Sequence, residues 1–222
     1  MKAKSAALGV AAAAAFSGSA ISAAVAATCP KPTAKLNVYT AANFSCTVGD
    51  KTFTGFSYTT NTTQAATGVT VTPENPGPGG LGFEFSGAWS VGSKTVGDVE
   101  LKLHVAAGAG FLIDDAFNHF GGGSGNVSDT MTLANKNTGF STTLSASTRS
   151  IPADIILKTA QKSLTITDDI FLNVAKTAAA SFSNFTKDYS QTGVPEPATL
   201  SLLGVGLGAL GVIGIRRRKR RQ

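Results

Sequence analysis

The 222-residue sequence predicts an all-β fold, an antiparallel β-sandwich of jelly-roll type, over residues 28–186. Three observations point there. Apolar residues in this stretch recur at every second position, the period of a strand with one dry face and one wet face. The stretch is rich in Thr, Ser, Gly and Asn. Clusters of Gly, Pro, Asn and Asp cut it into short pieces, and many short strands at such spacing build sandwiches and barrels.

Ahead of this region, Lys2 and Lys4 precede an apolar stretch at 6–16, and small residues follow to Val25-Ala26-Ala27. A charged n-region, an apolar core and a small-residue end make a signal peptide over residues 1–27, with cleavage by signal peptidase after Ala26 or Ala27. Cys29 and Cys46 come next. In a chain sent to an oxidising compartment, two cysteines without neighbouring histidines are expected to form one disulfide rather than a metal pair or a free nucleophile. In the chain-entropy model a loop of that length is worth about 3 kcal/mol, and it would pin the mature N-terminus to the next strand.

Strands are predicted at 36–40, 51–60, 69–72, 81–91, 99–105, 128–133, 140–148 and 164–174. The clearest is Val99-Glu100-Leu101-Lys102-Leu103-His104-Val105, with four aliphatic residues on one face and Glu100, Lys102 and His104 on the other. Turns are predicted at 73–80, 96–98 and the glycine run 121–126. A short helical piece is expected at 114–120, a turn or strand at 151–158, and a polar linker at 187–193.

The formal charge of +6 needs dividing before it is interpreted. Of 19 basic residues, two lie in the signal and six at 216–221, whereas 12 of the 13 acidic residues lie in the body. The body is therefore near −1, and the charge argument for a nucleic-acid partner disappears.

Residues 198–215 form an uncharged run of 18 residues, followed at once by six basic ones. As a helix it would cover about 27 Å, enough for a thin bilayer core. The basic cluster is expected to stay cytoplasmic, leaving the body outside the inner membrane. Before the run stands Val194-Pro195-Glu196-Pro197. Pro195 and Pro197 lack an N–H and hold the chain extended, and Glu196 is costly to place in hydrocarbon, so the motif sits in water directly outside the helix. Glycines at 204, 206, 208, 211 and 214 leave one side of that helix smooth.

The motif, the glycine-rich apolar run and the arginine cluster together resemble the PEP-CTERM sorting signal of Gram-negative bacteria. The resemblance covers the tail, residues 194–222. It implies processing by an exosortase, a membrane enzyme that recognises Pro195-Glu196-Pro197, and it associates the protein with the outer surface and extracellular polysaccharide. A segment at 46–58 also looks like one found near the mature N-terminus of some PEP-CTERM proteins.

Candidate chemistry in the body is sparse. His104 and His119 are the only histidines. His104 reads as a solvated sheet residue. Asp114, Asp115, Asn118 and His119 could supply oxygen and nitrogen ligands to calcium, although their spacing is not that of an EF-hand, and a polar turn is the simpler reading. Asp168-Asp169 reads as a bulge or solvent-facing edge; as paired carboxylates they would be the one hint of a hydrolase. Phe83, Phe85, Gly87 and Trp89 share one face, which argues for a core stripe over a sugar-stacking platform. Sequons begin at Asn43, Asn61, Asn126 and Asn184 and reflect composition. No catalytic residue, metal site or cofactor is assigned. The sequence therefore predicts a non-enzymatic, exported surface protein, with a carbohydrate- or calcium-binding module as the alternative and a secreted hydrolase behind it.

Overall fold

The computed structural model describes residues 27–77, 80–93, 95–148, 152–174 and 179–193. The predicted signal peptide up to Ala26, the Pro195-Glu196-Pro197 motif, the apolar run and the basic cluster lie outside the described residues. Among those that are described, no helix is long and apolar enough to cross a membrane.

In chain order the elements are β1 (Ala27–Thr28), β2 (Ala34–Lys35), α1 (Leu36–Tyr39), β3 (Ser45–Val48), β4 (Lys51–Thr60), β5 (Thr70–Gly77) and β6 (Gly80–Val91). There follow β7 (Val96–Ala107), β8 (Phe111–Ser124), β9 (Asn126–Asn135), β10 (Phe140–Ser147), β11 (Ala153–Gln161), β12 (Ser163–Asn173), β13 (Ala180–Tyr189) and β14 (Gln191–Gly193). They make two sheets. One has the order β1-β3-β4-β7-β12-β9-β10, the other β11-β8-β13-β6-β5-β2, with β14 added to β8. All pairings are antiparallel except β1 with β3. The chain changes sheet repeatedly after β6, so β12 is slotted between β7 and β9, and β13 between β8 and β6.

The alternation seen in the sequence is the sandwich interior. Val99, Leu101, Leu103 and Val105 of β7 are buried, as are Leu164, Ile166, Ile170 and Leu172 of β12. Against them packs an aromatic layer from the other sheet. The Trp89 and Phe182 rings are stacked at 4.5 Å and those of Phe85 and Phe185 at 4.9 Å, while Phe83 meets Phe53 edge-on at 4.7 Å. Trp89 is fully buried and donates its indole N–H to the Tyr58 hydroxyl at 2.9 Å, so the predicted stripe is core. Cys29 and Cys46 form the disulfide, which joins the chain after β1 to β3.

Several expectations are corrected. Residues 36–40 are not a strand: a single helical turn puts Leu36 and Tyr39 on the same side, and both are fully buried. Residues 114–120 are not helical and 121–124 are not a turn, because β8 runs through to Ser124; the predicted turn shrinks to a bend at Gly125, at positive φ, before β9 begins at Asn126. The β8 glycines serve close approach to β13: a Cβ on Gly121 would lie 2.2 Å from the Asn184 side chain, and one on Gly123 would lie 2.7 Å from the Ser181 carbonyl. Asp168 is neither in a bulge nor at an edge, since β12 pairs without a register shift on both sides. Residues 187–193 are not a linker. β13 continues to Tyr189 with Lys187, Asp188 and Tyr189 fully buried, and Gln191–Gly193 add to β8, so the folded body extends to Gly193 rather than stopping at 186.

Candidate functional site

The most unusual chemistry in the molecule lies between the sheets. Asn118 of β8 and Lys187 of β13 are directly opposite each other in register. Asp129 of β9 and Asp168 of β12 face them from the other sheet. All four are fully buried. The Lys187 ammonium donates to Asn118 Oδ1 at 2.7 Å and to Asp129 Oδ2, and it lies 2.8 Å from Asp168 Oδ1. The Asn118 amide in turn donates to Asp129 Oδ2 at 2.8 Å. The Phe185 ring lies 5.3 Å from the lysine nitrogen and closes that side.

One cation thus faces two carboxylates in a dry interior. Burial pushes the Asp168 carboxyl up to about 7; Lys187 opposes that shift and the neighbouring Asp129 adds to it. Burial works against the Lys187 ammonium, but Asp129 and Asp168 together outweigh it and hold its pKa above the ordinary 10.5. Burial, with the nearby Asp168, Asp188 and Asp129, raises the Tyr189 phenol well above its usual range. Asp129 Oδ1, Asp168 Oδ2 and the Tyr189 hydroxyl have no hydrogen-bond partner among the described residues.

Of this cluster the sequence marks Asn118 and Asp168, for other roles, and leaves Asp129 and Lys187 unmarked. The signal was there: each of the four occupies an inward position of an alternating strand, Asp129 between Val127 and Met131, Lys187 between Phe185 and Tyr189. A charged residue in phase with an apolar stripe is a buried charge, and a buried charge needs a partner.

The other candidates disperse. Asp115 neighbours Asp154 of β11; burial, then this neighbouring carboxyl, pushes Asp115 up to about 6. Asp114 lies instead within electrostatic reach of the buried Lys51, which donates to Gln191 Oε1 at 2.8 Å. His119 alternates outward next to the inward Asn118. His104 is half-buried on the outer face of β7, where burial pushes its pKa down. Asp169 is exposed and stands opposite Glu100. Among the described residues no three His, Cys, Asp or Glu side chains are placed to hold a metal ion. Asp168 lies inside the sandwich and Asp115 and His119 outside it, so the carboxylates and histidine that a hydrolase would need are not in one cleft.

On the outer face of β6, β8 and β13 lies an open depression of about 370 Å³, lined by Gly87, Ala88, Ser90, Gly122, Gly123 and Ser181 among others. Beside it Glu84 accepts from Ser86 Oγ at 2.6 Å and from the Asn184 amide at 3.3 Å.

No curated protein matches the sequence. Among solved structures, TmCBM61 in complex with beta-1,4-galactotriose is similar at 14% identity over 62% of this chain and 88% of that one, with a TM-score of 0.36. Carbohydrate-binding modules of a β-sandwich superfamily, studied for promiscuous specificity, give 13% identity over 65% and 58% and a TM-score of 0.30. A family 11 carbohydrate-binding module from Clostridium thermocellum, in complex with a mixed-linked tetrasaccharide, gives 12% identity over 64% and 90% and a TM-score of 0.27. In the sequence itself, residues 193–220 match the model of the PEP-CTERM protein-sorting motif, beginning at the last residue of β14, and by that match the chain carries a PEP-CTERM sorting motif.

Proposed function

We propose that this is a non-enzymatic surface or extracellular-matrix protein, exported by its signal peptide and released from a transient membrane anchor by an exosortase acting at Pro195-Glu196-Pro197. The observation that carries this reading is the sorting-motif match at 193–220, which starts where the sandwich ends. Signal peptidase cuts after Ala26 or Ala27, a reading supported by the start of β1 at Ala27. Residues 198–215 cross the inner membrane, the cluster 216–221 stays cytoplasmic, and the sandwich, which is jelly-roll-like in its crossing connections, is displayed outside. The Cys29–Cys46 disulfide agrees with an oxidising destination.

The test is to change Pro195 and Glu196 to Ala and to follow the size and location of the protein in cells carrying the processing enzyme. The expected result is a longer form retained in the inner membrane. Unchanged processing and release would sink the reading.

A second reading is a binding module of the polysaccharide matrix, and the open, small-residue depression beside Glu84 and Asn184 favours it. Pull-down on purified polysaccharide, with and without chelator, distinguishes the two; no retention under either condition would count against it.

A further inference from the structure

We propose that Lys187 and Asn118 join covalently, by a reaction internal to the folded chain, into an amide cross-link between β13 and β8. The four parts that such a reaction needs are in place. The nucleophile, Lys187 Nζ, lies 2.7 Å from Asn118 Oδ1. Since a C=O bond is about 1.23 Å, the electrophilic Cγ is at most about 3.9 Å from Nζ. The two residues are register partners on neighbouring strands, so both are held in this position by the ladder. Asp129 Oδ2 accepts from Lys187 Nζ and also from Asn118 Nδ2, so a single oxygen touches both the attacking and the departing nitrogen. The site is fully buried, which excludes the water that would otherwise compete.

The step balances as follows. The Lys187 ammonium passes one proton to the Asp129 carboxylate, which turns an ion pair into a neutral amine and a neutral acid; a dry interior lowers the cost of that exchange. The amine nitrogen attacks Asn118 Cγ and forms the Cγ–Nζ bond. The Cγ–Nδ2 bond breaks, and Nδ2 leaves with its own two protons and a third relayed from Nζ through Asp129, as ammonia. Asp129 ends protonated, the new amide keeps one N–H, and no oxidant or reductant is required. Asp168 is a positioning residue that fixes the nucleophile from its other side.

Stability alone is a poor reason for such a cluster. Replacing a buried ionic triad by packed apolar residues is often neutral or stabilising, and here carboxylate oxygens of both aspartates are left without hydrogen bonds. Proximity of this quality is worth effective concentrations on the order of 10⁵ M or more, which is how an otherwise unreactive carboxamide can be opened at ambient temperature.

The experiment is mass spectrometry of the full chain, expressed with export, purified in the folded state and then reduced and digested. The expected result is a branched peptide joining the segments that contain residues 118 and 187, lighter by one ammonia than the two separate peptides. Recovery of two separate, unmodified peptides overturns the proposal, as does a branched peptide lighter by one water and linked to Asp129 or Asp168. The variant Asp129→Asn is expected to lose the branched peptide, and Asp168→Asn to retain it at reduced yield. Undiminished linkage in Asp129→Asn overturns the assigned proton path. The wild-type measurement stands by itself should either variant fold poorly.

Discussion

The aromatic part and the charged part of the sandwich interior are equally dry, yet they are built on opposite principles. Around Phe83 the rings of Tyr39, Phe53, Phe56 and Phe85 fill space, and each contributes by leaving water. Around Lys187 each side chain is costly to bury, and the group is tolerable only as a set. The difference teaches that burial alone does not say what a residue contributes. An apolar residue can be judged singly, whereas a buried charge can be judged only with its partners.

The comparison can be tested at its apolar side first. Phe83→Ala is expected to lower unfolding free energy by about 3–5 kcal/mol, the range for a truncated buried aromatic, read from the denaturant midpoint at unchanged slope. A loss below ~1 kcal/mol would mean that the aromatic layer is loosely packed. On the charged side, Lys187→Met strands two carboxylates, while Lys187→Met with Asp129→Leu and Asp168→Leu removes the whole set. Neither protein can cross-link, so they compare directly, and the triple variant is expected to be more stable by about 3 kcal/mol. A triple variant less stable than the single one would show that the cluster does not behave as an ionic set.

The disulfide offers an intermediate effect. Its partners are 17 residues apart, and Cys29→Ser is expected to cost about 3 kcal/mol by loop-closure entropy. The effect of Asp168 is pH-dependent. Its folded pKa, about 7, lies above the ordinary 3.8, so the folded state binds the extra proton. The associated stability is fully present below about 3.8 and is lost as pH rises through about 7, with a slope of at most ~1.4 kcal/mol per pH unit. Asp168→Asn should flatten this part of the profile; a wild-type profile rising through neutrality would contradict it. Least of all, the exposed Glu100–Lys102 pair, 2.8 Å apart, should contribute under ~1 kcal/mol and vanish in high salt when tested by a double-mutant cycle.

How much of this was legible in the sequence follows the same division. Strands such as β4 and β7 announce themselves because period-two alternation is a local property, visible without knowing what lies opposite. The partners of β12 and β13 are non-local: each is inserted between strands that occur earlier in the chain, and no local pattern records the slot. Residues 187–193 looked like a linker because Lys, Asp, Ser and Gln usually face water, and only the inward phase of Phe185, Lys187 and Tyr189 argues otherwise. The glycines at 121–123 looked like a turn because composition does not distinguish a turn from the close approach of two strands. The sorting tail was readable from a short motif because its recognition is encoded in contiguous residues.

The placement of the last strands has a mechanical consequence. Any pull transmitted through residues beyond Gly193 enters the body at β14, whose only strand partner among the described residues is β8 and whose Gln191 is hydrogen-bonded to Lys51 and Asp50, and then at β13, which is hydrogen-bonded along both edges. Three short pairings can be peeled off one after another. The strand behind them must be sheared out of the middle of its sheet, so a tethered molecule under load would fray at Gln191–Gly193 and stop there.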